Sequence, residues 1–310
     1  RTPCSMRQSA SMPERGKGVA RALVTRSTDW PVAIIATHDV ACGARLWRAS
    51  GKRRLTVVVK ASFALVPGGP MQLVAPSDVV VGERHLDDHP ERSLLNAGEL
   101  APYLPRAEVC FVGHAYAPKP SPEMSVRVAV VGNRPLIDKT LYVYGERMWL
   151  DDGQVTQPVP FTRIPIRYER TSRGSDGYEE NPLGMPRQSG EPVPNIVDPS
   201  DPDAPAGFGP IPAAWPTRRR LLRGLDPSRV DGFEPDLPDP FAWSYFHAAP
   251  TDQRCSFFEG REWVVLDGLH PEHARLESYL PGARAQARLY ELDATGHREL
   301  SLNADTLWID

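Results

Sequence analysis

Residues 53–66 alternate with a period of two. Leu55, Val57, Val59, Ala61, Phe63 and Leu65 share one face, and Val58, Lys60 and Ala64 fall on the other. Successive side chains of a pleated strand point to opposite faces, so this pattern predicts a strand that buries the first set against a second layer. A shorter run over 44–49 precedes it, and Ser50-Gly51-Lys52 between the two predicts a hairpin. Pro67-Gly68-Gly69-Pro70 ends the second arm, because proline brings no N–H to a ladder. Further strands are predicted over 71–74, 108–115, 124–131, 140–150 and 161–168, then over 262–266, 285–292, 299–302 and 306–309. Gly132-Asn133-Arg134-Pro135 and Asp151-Asp152-Gly153 mark reversals among them. Residues 93–100 are the best prospect for a short helix in the first half. Strands of this length and spacing predict a mainly β chain, an antiparallel sandwich-like fold with few short helices.

The pattern breaks over about 170–250, where fifteen of the 33 prolines lie between Asn181 and Pro250. That density is several times the usual ~5%. Such a stretch is either a linker or a structured excursion. Phe208, Trp215, Phe241, Trp243, Tyr245 and Phe246 favour ordered loops packed over the sheets, since linkers are poor in aromatics. Within it, Pro205-Ala206-Gly207-Phe208-Gly209-Pro210-Ile211 alternates residues of fixed φ with residues free to take positive φ. This encodes a defined non-helical path with Phe208 as its anchor, a presented loop suited to recognition more than to turnover. Phe208, Trp215, Asp252 and Gln253 are therefore the expected partner-binding positions. Asp252 and Gln253 are equally able to cap the loop's backbone groups.

Composition narrows the function. The 310 residues suffice for a sizeable core, and a formal net charge of -3 gives no reason to expect nucleic acid or an anionic membrane as partner. No apolar run reaches the ~20 residues that span a bilayer. Cys4, Cys42, Cys110 and Cys255 are scattered without a CxxC, which favours free thiols in a reducing compartment and hence the cytoplasm, with distant pairing left open. Residues 1–28 are rich in Arg and Ser with Glu14 the sole acid, and read as a poorly ordered leader before a single β-rich domain over 29–310.

Catalytic signals are weak. His85 and His89 have the i,i+4 spacing of metal ligands, but Pro90 follows and no third ligand sits at motif spacing; His270 and His273 raise the same question. No metal or other cofactor is expected. There is no G-x-S-x-G elbow, and Pro210 removes a donor that a phosphate cradle would use. Cys110 sits in an apolar stretch and reads as a core thiol, and Arg218-Arg219-Arg220 with Arg223 as a solvated charge run. No catalytic residue is assigned.

An ordered set of motifs remains: Val59-Lys60-Ala61-Ser62-Phe63, Val112-Gly113-His114-Ala115-Tyr116-Ala117-Pro118, Gly145-Glu146-Arg147-Met148-Trp149, Tyr168-Glu169-Arg170, Glu180-Asn181-Pro182-Leu183-Gly184 and Pro194-Asn195-Ile196. The 205–211 loop, Leu237-Pro238, 248–253 and Leu280-Pro281-Gly282 follow. Together, over about 45–290, they resemble a bacterial family known only as a domain of unknown function (number twenty-one sixty-nine). Its members are commonly found beside type VI secretion genes. The resemblance makes Lys60, Phe63, Arg147, Trp149, Tyr168, Glu169, Arg170, Asn181, Pro182, Asn195, Gly207 and Gly209 motif residues with structural roles. It implies a cytoplasmic adaptor or chaperone that binds a secreted effector and helps load it onto a VgrG- or PAAR-type needle tip. Thr171-Ser172-Arg173-Gly174 and Gly224-Leu225-Asp226 depart from the family pattern, which allows a local change of loop or partner specificity. The alternative is a hydrolase acting on carbohydrate or peptide from a β-sandwich scaffold.

Overall fold

The computed structural model describes residues 3–13, 39–175, 179–232, 234–290 and 296–310. Its main strands, in chain order, are β1 (Pro3–Pro13), β2 (Ala41–Ala49), β3 (Lys52–Ala64), β4 (Ala107–Phe111), β5 (Gly113–Ser121), β6 (Glu123–Val131), β7 (Pro135–Tyr144), β8 (Phe161–Ile166), β9 (Trp263–Asp267), β10 (Arg275–Tyr279) and β11 (Asn303–Ile309). An eight-stranded sheet runs Asp236–Leu237, β2, β3, β1, β11, β4 and Arg254–Cys255, with Gln72–Val74 paired to β3. A five-stranded sheet runs Ile196–Val197, β7, β6, β9 and β10, and β8 pairs with β5 alone. Most pairs are antiparallel; β11 with β4, and Asp236–Leu237 with β2, are parallel.

The two large sheets face each other across one core. The first contributes Cys4, Met6, Phe63, Val109, Phe111, Leu307 and Ile309, and the second Val126, Val128, Val130, Leu141, Val143, Val264, Leu266 and Leu276. Alternation explains the choice, since each strand turns its apolar set inward. The mainly β, sandwich-like expectation holds.

β3 departs from the expected one-sided burial. Phe63 is fully buried in the core, but the opposite face is covered too: Val58 and Thr56 are inaccessible, and Lys60 is buried with them. Lys60 reaches Glu99 at 2.8 Å and the Asp78 carbonyl at 3.2 Å, so its charge is compensated in place. Beyond it, Trp47, Leu104, Leu222, Val230, Leu237, Phe241, Tyr245 and Phe246 form a second apolar cluster. The proline-rich excursion thus folds onto the outer face of the large sheet and supplies part of a third layer.

Two expectations are corrected. Residues 93–100 form no helix: Leu94–Asn96 is a strand paired with Arg84–His85, and Ser93 is tied by its N–H and hydroxyl to Glu169. These long-range bonds outweigh a weak local preference. Of the expected leader, Pro3–Pro13 is instead the strand between β3 and β11, with Cys4 opposite Phe63 on one side and Ile309 on the other. Residues 14–28 lie outside the described residues, as does the end of the expected 285–292 strand beyond Tyr290. Among the described residues, no helix is long and apolar enough to cross a membrane.

Candidate functional site

The 205–211 loop is held from three directions. Phe208 is fully buried and packs edge-on to Phe111, ring centroids 6.1 Å apart. The Phe111 N–H donates to the Phe208 carbonyl at 3.0 Å, and Ile211 donates to Ala248 at 2.7 Å. Alternation along β7 turns Lys139 inward with Ile137 and Leu141, where its ammonium donates to the Gly207 carbonyl at 2.8 Å and the Gln253 side-chain oxygen at 3.1 Å. It also meets Asp252 at 2.8 Å. Burial pulls the Lys139 pKa below its ordinary range, opposed by the Asp252 carboxylate. Gln253 Nε2 then donates to the Val109 and Phe208 carbonyls at 2.7 and 2.9 Å. A Cβ on Gly207 would meet the Tyr168 ring at 3.0 Å, so any side chain here would push on that ring.

A second knot lies alongside. The Tyr168 hydroxyl donates to the Gly209 carbonyl at 3.0 Å, and its ring stacks edge-on with Trp215 at 5.0 Å. Asn181, fully buried, donates to the Tyr168 carbonyl at 2.8 Å and receives the Leu183 N–H at 3.0 Å in the turn that Pro182 enters. Asn195 Nδ2 donates to the Tyr144 carbonyl at 3.1 Å, and its Oδ1 accepts from Arg170 at 2.9 Å. Arg170 also reaches Glu146, and Glu169 anchors Ser93. The motif residues Glu146, Tyr168, Glu169, Arg170, Asn181, Asn195 and Gly209 therefore converge, while Lys60 lies apart on β3 with Glu99.

Phe208, Trp215 and Gln253 are internal, with exposures of 0%, 6% and 0%. The expectation that they present a surface is corrected: an apolar ring or an amide with interior partners gains more from the core than from water. Asp252 alone of the four is exposed. What the fold does present is an arm following β7. Met148, Leu150 and Val159 on it, and Tyr142 just before it in β7, are among the exposed large apolar side chains, Val159 at 59%. The arm's backbone is fixed: Val159 donates to Glu146 at 3.1 Å, Thr156 to Met148 at 3.0 Å, and Trp149 to Glu191 at 3.0 Å. Arg147 lies over the Tyr144 ring at 4.0 Å and donates to the Pro194 carbonyl, and Arg187 lies 5.2 Å from the Trp149 ring centroid. A Cβ on Gly145 would fall 1.8 Å from the Val159 carbonyl oxygen, so only glycine permits that crossing. The residues 140–150 read as one strand, which hid the arm. Pro158 and Pro160, which cannot sit in a central ladder, were the available signal.

The remaining chemistry is enclosed. Glu108 and His247 meet at 3.1 Å, and both are buried. Burial would raise the Glu108 pKa, but the His247 hydrogen bond, its charge and the Ala249 N–H outweigh it and hold the carboxyl below its ordinary value. Burial, then Glu108, pushes the Cys110 thiol well up, so it stays protonated in the core. All four cysteines are free. Among the described residues, no group of three or more His, Cys, Asp or Glu is placed to hold a metal ion.

Fold and site define a class: a β-sandwich with a proline-rich cover, a clamped glycine-proline loop and an exposed apolar arm. The chain belongs to the bacterial family described as "Uncharacterized protein conserved in bacteria (DUF2169)", which matches over residues 50–310. The match extends past the expected 290 and takes in β11. No curated protein and no solved structure matches the chain.

Proposed function

We propose that this protein is a cytoplasmic adaptor that grips another protein through the exposed arm and helps load a type VI secretion effector onto a VgrG- or PAAR-type needle tip. The exposed arm carries the reading. Tyr142, Met148, Leu150 and Val159 stand in water on a backbone fixed by hydrogen bonds. Large apolar side chains so placed mark interaction surfaces, and a pre-ordered backbone loses little entropy on association. The clamp of Lys139 and Gln253 supports it from within by joining β7, which leads into the arm, to the 205–211 loop. The partner class comes from the ordered motifs, which resemble a family found beside type VI secretion genes.

The test is binding of the purified chain to the effector and needle-tip proteins encoded beside its gene. Wild type should retain the effector. Val159→Asp combined with Met148→Asp should weaken binding at least about tenfold with an unchanged thermal midpoint, because both side chains are already exposed. If folded wild type holds neither protein, the adaptor reading fails. If the double variant binds as tightly as wild type, the arm is not the surface.

A further inference from the structure

The β5–β8 pair carries a cluster that neither the clamp nor the arm uses. Its register sets Arg163 opposite Tyr116 and Pro165 opposite His114. Arg167, just past β8, keeps extended backbone with φ -143° and ψ 153°. The period of two therefore continues, and Arg163 and Arg167 share a face with His114 and Tyr116. Arg163 Nη2 lies 3.0 Å from His114 Nε2, and its guanidinium carbon lies 5.7 Å from the Tyr116 ring centroid. The same Nη2 lies 3.4 Å from His114 Nδ1, so the guanidinium sits over the ring rather than on one nitrogen's lone pair, and its charge disfavours the imidazolium. Burial first, then the charges of Arg163 and Arg167, hold the His114 pKa at about 4. Both cations thus act on one imidazole.

Some arginines on the sheets meet carboxylates, Arg127 with Asp138 and Asp267 and Arg275 with Asp267 and Glu277, while Arg45 donates to backbone carbonyls and Arg54 lies over the Trp47 ring. Arg163 and Arg167 have no carboxylate partner among the described residues, although the chain carries 39 acids against 36 Lys and Arg. Arg167 also lines a small cleft with Ser93, Val112 and Gly209. The two arginines flank Pro165, the residue opposite His114, without a counter-charge, and a planar guanidinium fork matches the oxygens of carboxylate or phosphate.

We propose that Arg163 and Arg167, with His114 beside them, form a binding site for an oxyanion, a carboxylate or phosphate group. The site lies on strands other than the arm and does not depend on the adaptor role. A bound anion would favour the His114 imidazolium, whose N–H adds a further donor.

The His114 ring protons of the full chain report binding directly by NMR. The titration is run with inorganic phosphate, with a capped hexaglutamate peptide, and with sodium chloride at matched ionic strength. A saturating rise of the His114 pKa by about one unit with either probe, and not with chloride, upholds the site. Phosphate acting alone assigns a small free anion; hexaglutamate at least about tenfold tighter assigns an acidic segment of a protein. Arg163→Gln with Arg167→Gln should weaken binding at least about tenfold, while Arg163→Lys with Arg167→Lys keeps part of it. Lys52→Gln, which removes an exposed charge from the β2–β3 hairpin, should change it less than about twofold. No saturation in wild type, or an equal loss in Lys52→Gln, overturns the proposal.

Discussion

Gln253 satisfies the Val109 and Phe208 carbonyls with one amide nitrogen while its oxygen accepts from Lys139. Truncating it takes a donor from both carbonyls, of which Phe208 keeps the Phe111 N–H, and an acceptor from the buried Lys139 ammonium, a buried group left unpaired costing about 1–3 kcal/mol. Gln253→Ala should therefore lower stability by about 2–4 kcal/mol in urea unfolding, against less than about 0.5 kcal/mol for the exposed Gln188→Ala. Equal small losses would remove Gln253 from the clamp. Glu108 gives a pH dependence. Its folded pKa lies below the ordinary 4.5, so its contribution is complete above that value and is lost as pH falls through the lower one. The thermal midpoint of wild type should drop on acidification below about pH 4.5, and less steeply in Glu108→Gln. Parallel curves would contradict this. His114 adds a decline in a higher window, from its ordinary 6.5 down to about 4, because folding favours its neutral form. The individual roles were not legible in sequence. A glutamine that caps a loop and a glutamine that meets a partner are written alike until the fold brings Val109 and Phe208 to it.

At the level of elements, the strand readings were sound for β3 and β6, and the glycine-bearing hairpin at 50–52 forms between β2 and β3, whereas the 140–150 reading overlaps β7 only over 140–144. Local pattern misled where neighbours decide. β1 lacks β-branched residues over 3–13 and its Arg and Ser resemble a leader, yet it is flanked by β3 and β11. Pairing on both edges supplies what propensity does not. Removing residues 1–13 should leave two sheet edges unpaired, and the truncated chain should aggregate or lose its cooperative melt. A soluble product that melts within a few degrees of wild type would show that β1 is dispensable. The same limit explains β3, whose Lys60 face read as outer because sequence alone does not reveal the third layer above it.

At the scale of the molecule, the short strands and their turns foretold two packed sheets, and the aromatics at 241–246 foretold that the proline-rich region is ordered. The arm and the parallel pairing of β11 with β4 were not foretold, since both depend on segments far apart in the chain. β11 lies between β1 and β4, so it bridges the sheet's first strand in chain order and one that comes after β3. While the chain is being synthesised, the large sheet can exist only as two unjoined parts, one built on β1, β2 and β3 and the other on β4 and Arg254–Cys255. The edges of β1 and β4 that will receive β11 stay open until those residues leave the ribosome. The order of translation is thus opposed to the order of the strands, and the sheet closes only once β11, the last of its strands in chain order, has been made.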